Sequence, residues 1–253
     1  MSEEEYKKKL KELYLRGMVE ESVNLIQRGI DHLQKIKFYD REYYYLLPFL
    51  LLSRGYEVLM KCMICFKSYR YNKSYPKCEE IKNYRHNLDE LRKNIVKNYE
   101  YISKKDYEKF PEIEIDKKYL SQKDELIELI KIISDYAKAG RYFELDYVTN
   151  CKSIYKNEKN KKASPRFYLK KMIVDLIAKN NNLKRKFLNN QEDIAWSECI
   201  NLLIIPTLKK FTGALSRQFS LGILGEEAMK CISMSKYSYL KDYKIDKKDI
   251  EKL

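Results

Sequence analysis

Glycine and proline are scarce in this sequence, with 7 glycines and 5 prolines among 253 residues. Folds rich in β-turns use both residues at many positions, so their scarcity argues against a turn-rich β fold. Sustained alternation of apolar and polar residues, the pattern of half-buried strands, is also missing. Charged residues instead make up 35% of the chain. This composition predicts an all-α protein, an antiparallel bundle whose helices each expose one solvated face.

Long apolar runs are missing as well. A helix that crosses a bilayer needs about 20 consecutive apolar residues, and the best candidate, residues 43–52, is far shorter and contains Pro48. The N-terminal segment Ser2-Glu3-Glu4-Glu5 is acidic and has no apolar signal core. We therefore expect a cytoplasmic protein that does not bind membranes.

The cysteines are few and dispersed, which favours reduced, buried thiols over a disulfide framework. Cys62 and Cys65 have the CxxC spacing of zinc and redox sites. A structural zinc site normally needs a second ligand pair, and the sequence offers none. We predict no metal and no cofactor, with a metal or redox role for the Cys62/Cys65 pair as the alternative.

A shift in composition separates two helical regions. Residues 150–164 are rich in lysine, asparagine and serine and are followed by Pro165, a combination typical of a boundary. We predict a helical bundle over residues 1–148, a basic linker over 149–164 and a helical extension over 165–253.

Within the bundle, the stretch 41–68 is apolar on almost every side, which predicts a central helix. Gly17 is predicted to break the helix before it, and residues 69–84 are predicted to form a polar loop. Asn87, with Glu90 three residues further on, is predicted to cap the start of the next helix.

Charged residues inside the apolar stretch need a reason, because burying an unpaired charge is costly. Glu57 and Lys61 are spaced i, i+4 with the glutamate first, the favourable order for a helical ion pair. We expect this pair to lie at a seam between helices. A bundle could bring His86, from the start of the next helix, and Arg141, from the end of a later one, to the same place.

The order and spacing of these groups resemble those of a HEPN-like helical domain. One uncharacterised branch of that superfamily combines E-x-x-x-K, H-N-L-x-x-L and R-Y elements. The resemblance covers about residues 18–145, and it implies a helical bundle that forms a homodimer. The matching segments are Tyr56-Glu57-Val58-Leu59-Met60-Lys61, Arg85-His86-Asn87-Leu88-Asp89-Glu90-Leu91 and Gly140-Arg141-Tyr142.

Many HEPN proteins are metal-independent ribonucleases of toxin–antitoxin, CRISPR or phage-defence systems, with an R-x4-6-H catalytic motif. This chain lacks that motif, since Arg85 is directly adjacent to His86 and Arg28 is too close to His32. We therefore predict a binding or assembly module for RNA or for another protein, in a prokaryotic defence or stress system.

Two alternatives stay open. A metal-free ribonuclease needs a base for the 2′-hydroxyl and cations for the phosphate, and the candidates are His86, Arg85, Lys61, Glu57 and Arg141. Without catalysis, the same groups form a buried structural network, in which His86 hydrogen-bonds Glu57 and Lys61 and Arg141 complete the cluster. The second alternative is a purely structural, oligomerising helical protein.

Positive charge is concentrated between residues 152 and 190, which carry a net charge of +10 out of +14 for the whole chain. Such a segment can bind a phosphate backbone, while the interleaved aromatic residues stack on unpaired bases. These aromatic residues are Tyr155, Phe167, Tyr168 and Phe187. The alternative is a solvated, lysine-rich surface. The predicted contacts to RNA or other single-stranded nucleic acid are Lys159, Lys161, Lys162, Arg166, Lys170, Lys171, Lys184 and Arg185.

Overall fold

The computed structural model describes residues 2–36, 42–103, 108–139, 148–149 and 164–234. Across these ranges the regular elements are all helical and no strand forms, which confirms the predicted all-α class. Some of the α-helices are joined by short helices of other kinds. These are 3-10 helices at Glu42–Tyr45 and Lys97–Tyr101 and a π-helical turn at Ile200–Ile204. The α-helices are α1 (Glu3–Lys35), α2 (Leu46–Asn72), α3 (Cys78–Asn83), α4 (Leu88–Val96), α5 (Glu112–Gln122), α6 (Asp124–Ala139), α7 (Pro165–Lys179), α8 (Asn181–Leu188), α9 (Glu192–Cys199), α10 (Ile205–Ser220) and α11 (Glu226–Met234).

The first helix, α1, runs through Gly17 without a break, so the predicted interruption is wrong. A glycine inside a helix costs only about 1 kcal/mol relative to alanine. After Gly17, the helix α1 buries Val19, Ile26 and Leu33 completely or almost completely. Burying one such side chain contributes about 1.5–3 kcal/mol, which exceeds the cost of the glycine.

The central helix, α2, lies against α1 at a close approach made by two glycines. A Cβ atom on Gly55 would lie 2.7 Å from Cγ1 of Ile26, and one on Gly29 would lie 2.7 Å from Cγ of Leu52. The missing side chains therefore let the two helix backbones come together. Within the described ranges, no helix is both long enough and apolar enough to cross a membrane.

The predicted polar loop over residues 69–84 is largely helical. The helix α2 continues to Asn72 and ends at Lys73, whose φ of 54° is left-handed. A short helix, α3, then occupies Cys78–Asn83 and buries none of its side chains. A helix without a buried face shows no apolar stripe, so its sequence cannot be told from that of a loop.

The helices after residue 164 share one apolar core with those of the N-terminal bundle. The ring centroids of Tyr56 in α2 and Phe211 in α10 are 4.8 Å apart, and the Tyr56 hydroxyl lies 2.8 Å from Oγ1 of Thr212. Asn98 also donates Nδ2–H to Oε1 of Gln218 at 2.8 Å. Residues 150–163, the body of the predicted linker, lie outside the described residues.

A buried ion pair fixes α5 to α10. Arg217 donates Nε–H and Nη2–H to the two carboxylate oxygens of Asp116, each at 2.6 Å. The Asp116 side chain is only 1% exposed. Burial raises the pKa of Asp116, and the guanidinium of Arg217 opposes that rise. Two parallel charge-assisted hydrogen bonds are the geometry that best offsets the desolvation of such a pair.

Candidate functional site

Glu57, Lys61 and His86 come together at the seam between α2 and the start of α4. The ammonium of Lys61 lies 2.6 Å from Oε1 of Glu57, and Nδ1 of His86 lies 2.7 Å from Oε2. The Glu57 side chain is 5% exposed and that of Lys61 17% exposed. Each oxygen of the buried carboxylate therefore has its own partner, which offsets the cost of its burial.

The segment before α4 is held by contacts to its backbone. Lys61 Nζ donates to the carbonyl oxygen of Arg85 at 2.9 Å. From α6, the Ser134 hydroxyl donates to the carbonyl oxygen of His86 at 2.5 Å and accepts from the Leu88 N–H at 3.3 Å. Two helices thus fix the main chain of this segment while the side chains of Arg85 and His86 stay exposed.

Arg85 adopts a left-handed backbone conformation with φ 44°. Residues other than glycine, asparagine and aspartate seldom take this conformation, which costs free energy and persists only when surrounding contacts enforce it. The hydrogen bond from Lys61 to the Arg85 carbonyl is one such contact. Two residues further on, Asn87 caps α4, since its side-chain oxygen accepts the Glu90 N–H at 3.3 Å. The predicted cap is therefore confirmed.

The imidazole of His86 is oriented but accessible. Its Nδ1 atom is held by the buried Glu57 carboxylate, while the side chain as a whole is 55% exposed. In the neutral imidazole, a carboxylate partner at Nδ1 selects the tautomer that carries its hydrogen there and leaves Nε2 as an acceptor. This is the arrangement of an imidazole base, and the cationic Arg85 is adjacent in the chain. The hydrogen bond between His86 and Glu57 is the one that the structural-network interpretation predicts, whereas the imidazole is more exposed than a buried network requires.

Arg141 and Tyr142, the last motif of the predicted cluster, lie outside the described residues. The same holds for Lys159, Lys161 and Lys162 of the basic segment. Sequence reasoning missed Ser134, because a serine in an amphipathic helix carries no sign of which backbone it will reach.

The described part of the basic segment begins with α7. Ser164 caps this helix by accepting the Phe167 N–H, and Pro165 occupies its first turn. Leu169 and Ile173 are buried against the bundle and fix which side faces outward. The outward side, which we call the α7 aromatic face, consists of Arg166, Phe167, Tyr168, Lys170 and Lys171.

Phe167 is 55% exposed and Tyr168 is 39% exposed, although both are large rings. Their centroids are 5.9 Å apart at an interplanar angle of 76°. Arg166 and Lys170 are spaced i, i+4 on the helix, as are Phe167 and Lys171, so each pair lies along one side. Lys170 and Lys171 are exposed and Arg166 is half-buried. The face therefore presents ring surfaces beside positive charge.

The other predicted basic contacts, Lys184 and Arg185, are exposed on α8. This short helix is anchored by Leu183, which is buried. Asn180 caps it by accepting the N–H groups of Asn182 and Leu183. Because α8 follows α7 after one residue, its two cations come soon after those of α7 along the chain.

The cysteine pair has the surroundings of core thiols. Cys62 is buried, and burial raises the pKa of the Cys65 thiol to about 11. Reactive and metal-bound cysteines instead have a lowered pKa, because the thiolate is the reactive form. In the described parts of the chain, no group of three His, Cys, Asp or Glu side chains is arranged to hold a metal ion.

No family model, curated protein or solved structure matches this chain. The contacts around Glu57 and along α7 are therefore the observations from which a function is inferred.

Proposed function

We propose that this protein is a HEPN-like module that binds single-stranded RNA along the α7 aromatic face. The observation that supports the proposal is the pair of exposed rings, Phe167 and Tyr168, among basic residues of the same helix. Single exposed apolar residues are ordinary on protein surfaces. Two adjacent exposed rings flanked by cations are the combination that single-strand binding sites use, because rings stack on bases and cations contact phosphates.

The charge of this helix suits a polyanion. The helix α7 contains four basic residues and a single acid, Asp175. Lys184 and Arg185 on α8 add positive charge, and that helix contains no acid. Stacking needs unpaired bases, so the face favours single strands over duplexes, in which the bases are already stacked on one another.

The HEPN-like part of the proposal has separate support. Glu57 and Lys61 belong to one sequence motif and His86 to another, and the three side chains meet in one cluster inside a helical bundle. A module of this kind would serve as an RNA- or protein-binding component of a prokaryotic defence or stress system, and would act as a homodimer. The setting rests on the sequence motifs alone.

The salt dependence of RNA binding tests the proposal. Wild-type protein should bind a short labelled single-stranded RNA with an affinity that falls steeply with salt. Each phosphate contact on a single strand contributes about 0.7 to the slope of log K against log salt concentration. Changing Arg166, Lys170 and Lys171 to glutamine should therefore flatten that slope by about 2, as measured by fluorescence anisotropy.

A matched control removes the same charge elsewhere. Lys7, Lys9 and Lys11 are exposed on α1, outside the α7 aromatic face. Changing these three lysines to glutamine should leave most of the slope in place. Equal flattening in both triple variants, or wild-type binding that is insensitive to salt, would contradict binding at α7.

Endoribonuclease activity at His86 is the second candidate function. The specific observation in its favour is the 2.7 Å contact between Nδ1 of His86 and Glu57, together with the 55% exposure of the histidine side chain. His86 would accept the proton of a ribose 2′-hydroxyl, and Arg85 beside it would stabilise the charge on the phosphate. Glu57 would position the imidazole, and Lys61 would hold Glu57 and the Arg85 backbone in place.

If this second function exists, wild-type protein should cleave labelled single-stranded RNA in the presence of EDTA. His86→Ala should lower the rate at least about 100-fold, the usual contribution of a general base. His32, the other histidine, is exposed at the far end of α1, so His32→Ala is the matched control. Absence of cleavage by the wild type, or equal rates in the two variants, excludes the activity without affecting the binding proposal.

A further inference from the structure

The N-terminal half of α1 carries apolar side chains on two opposite sides. One side faces the bundle and buries Leu15 and Val19. The other side faces outward, and four of its large apolar side chains are between 40% and 63% exposed. They are Tyr6, Leu13, Tyr14 and Met18. A helix of a bundle needs one apolar side to reach the core, so the fold of a single chain does not account for the second side.

The outward apolar residues form one continuous stripe along the helix. Successive residues of an α-helix are turned by roughly 100°, so these positions fall within an arc of about 140°. An apolar stripe of this width is what a helix uses to pack against another helix. We call it the outer stripe of α1, and it consists of Tyr6, Leu10, Leu13, Tyr14, Gly17 and Met18.

Within the outer stripe, Gly17 leaves room for a close neighbour. A Cβ atom at Gly17 would meet no atom within 4 Å outside its own part of α1. The same helix uses Gly29 on its inner side, where a Cβ atom would lie 2.7 Å from Cγ of Leu52 in α2. One glycine of α1 thus already admits a leucine of another helix, and Gly17 offers a second such place on the outer side.

Charged residues of both signs flank the outer stripe. Lys7 and Glu21 lie on the side of Tyr14, whereas Lys9 and Glu20 lie on the opposite side, and all four are exposed. On each side the base comes before the stripe's centre and the acid after it. Lys7 also pairs with Glu3 of its own chain, and an exposed ion pair of this kind contributes little.

This distribution of charge suits a second copy of α1 that lies antiparallel to the first. In a twofold-symmetric antiparallel pair, the start of each helix meets the end of the stripe in the other. With the axis close to Tyr14, Lys7 of one copy faces Glu21 of the other, and Leu10 lies beside Gly17. A parallel pair would instead bring bases to bases and acids to acids, which repel.

We infer that the outer stripe of α1 is the surface through which two copies of this chain associate as an antiparallel, twofold-symmetric pair. The inference deepens the proposed function, since it gives the proposed homodimer its interface. The RNA-binding α7 aromatic face lies on another helix, so the association does not depend on RNA. One helix from each copy makes a small interface, and the pair should therefore form reversibly at micromolar concentrations.

Sedimentation equilibrium of the full-length protein across a micromolar concentration series tests the inference. The average mass of the wild type should rise from that of one chain towards that of two. Leu13→Glu places two carboxylates beside each other near the axis and should weaken association at least about tenfold. Leu188 is 70% exposed on α8, outside the stripe, so Leu188→Glu is the matched control and should associate like the wild type.

A charge exchange tests the antiparallel arrangement separately. Changing Glu20 and Glu21 to lysine should weaken association, because lysines would then face Lys7 and Lys9 of the other copy. Changing Lys7 and Lys9 to glutamate in the same chain should restore it. Wild-type protein that stays monomeric, Leu13→Glu protein that associates like the wild type, or a fourfold variant that does not recover would each overturn the inference.

The outcome for α1 can be separated from the outcome for RNA. An RNA too short to reach both copies should bind Leu13→Glu and wild-type protein with the same affinity. A monomeric wild type that binds RNA would overturn the inference and leave the α7 aromatic face in place. A wild type that associates through the outer stripe without binding RNA would support the inference and contradict the RNA-binding proposal.

Discussion

Replacing both Phe167 and Tyr168 with alanine is expected to weaken binding of single-stranded RNA about 100-fold. Each aromatic ring that stacks on a base contributes about 1–3 kcal/mol to binding. The two rings are 55% and 39% exposed, so their free surfaces are available for stacking. The double variant keeps Arg166, Lys170 and Lys171, so the salt dependence should change little while the affinity falls. Fluorescence anisotropy at fixed salt measures the loss.

The matched control for this experiment lies on α1. Tyr6 and Tyr14 are 54% and 63% exposed there, and neither belongs to the proposed binding face. Changing both to alanine removes as many exposed rings from the protein and should leave RNA affinity within about twofold of wild type. An α7 double variant that binds as tightly as wild type would contradict the stacking role, as would an equal loss in the two double variants.

Changing Arg217 to methionine is expected to lower the free energy of unfolding by about 3–5 kcal/mol, as measured by urea denaturation. Methionine has a similar length but cannot donate the two 2.6 Å hydrogen bonds to Asp116. The carboxylate, 1% exposed, would then be a buried charge without its guanidinium partner. Breaking such a pair by removing one member is among the most destabilising single changes.

The double variant Asp116→Leu with Arg217→Met distinguishes two contributions to this loss of stability. One is the cost of a buried carboxylate without a partner, and the other is the loss of the ion pair itself. Replacing both members of a buried ion pair with apolar residues of similar size is often neutral or stabilising. We therefore expect the double variant to recover most of the stability that Arg217→Met loses. A single variant that costs less than about 1 kcal/mol, or a double variant at least as unstable as the single one, would contradict the account.

Local patterns in the sequence predicted the helical class and part of the polar cluster. Glu57 and Lys61 are one helical turn apart, so their pairing follows from helix geometry alone. The cap at Asn87 follows from a similarly short spacing. The break predicted at Gly17 failed because burial on one side of the glycine outweighs its helix propensity, and tertiary packing is not visible in a local window.

Contacts between distant segments could not be predicted in this way. Asp116 and Arg217 are 101 residues apart, and nothing near either residue specifies the other. Ser134 reaches the His86 carbonyl from α6, 48 residues away. The exposure of His86 and of Phe167 depends on which neighbours cover each helix face. Charge and aromatic content could mark a basic segment, but only the packing of Leu169 and Ile173 determines which side of α7 faces outward.

The most direct test of the central claim is to map where RNA contacts the native protein. Single-stranded RNA containing 4-thiouridine can be cross-linked to the full-length wild-type chain, and the modified peptides identified by mass spectrometry. The α7 aromatic face predicts adducts on the peptide that contains residues 166–171, and their loss in the Phe167→Ala, Tyr168→Ala variant. Adducts confined to the segment around Arg85 and His86, with none on α7, would contradict the claim and would favour the candidate ribonuclease site instead.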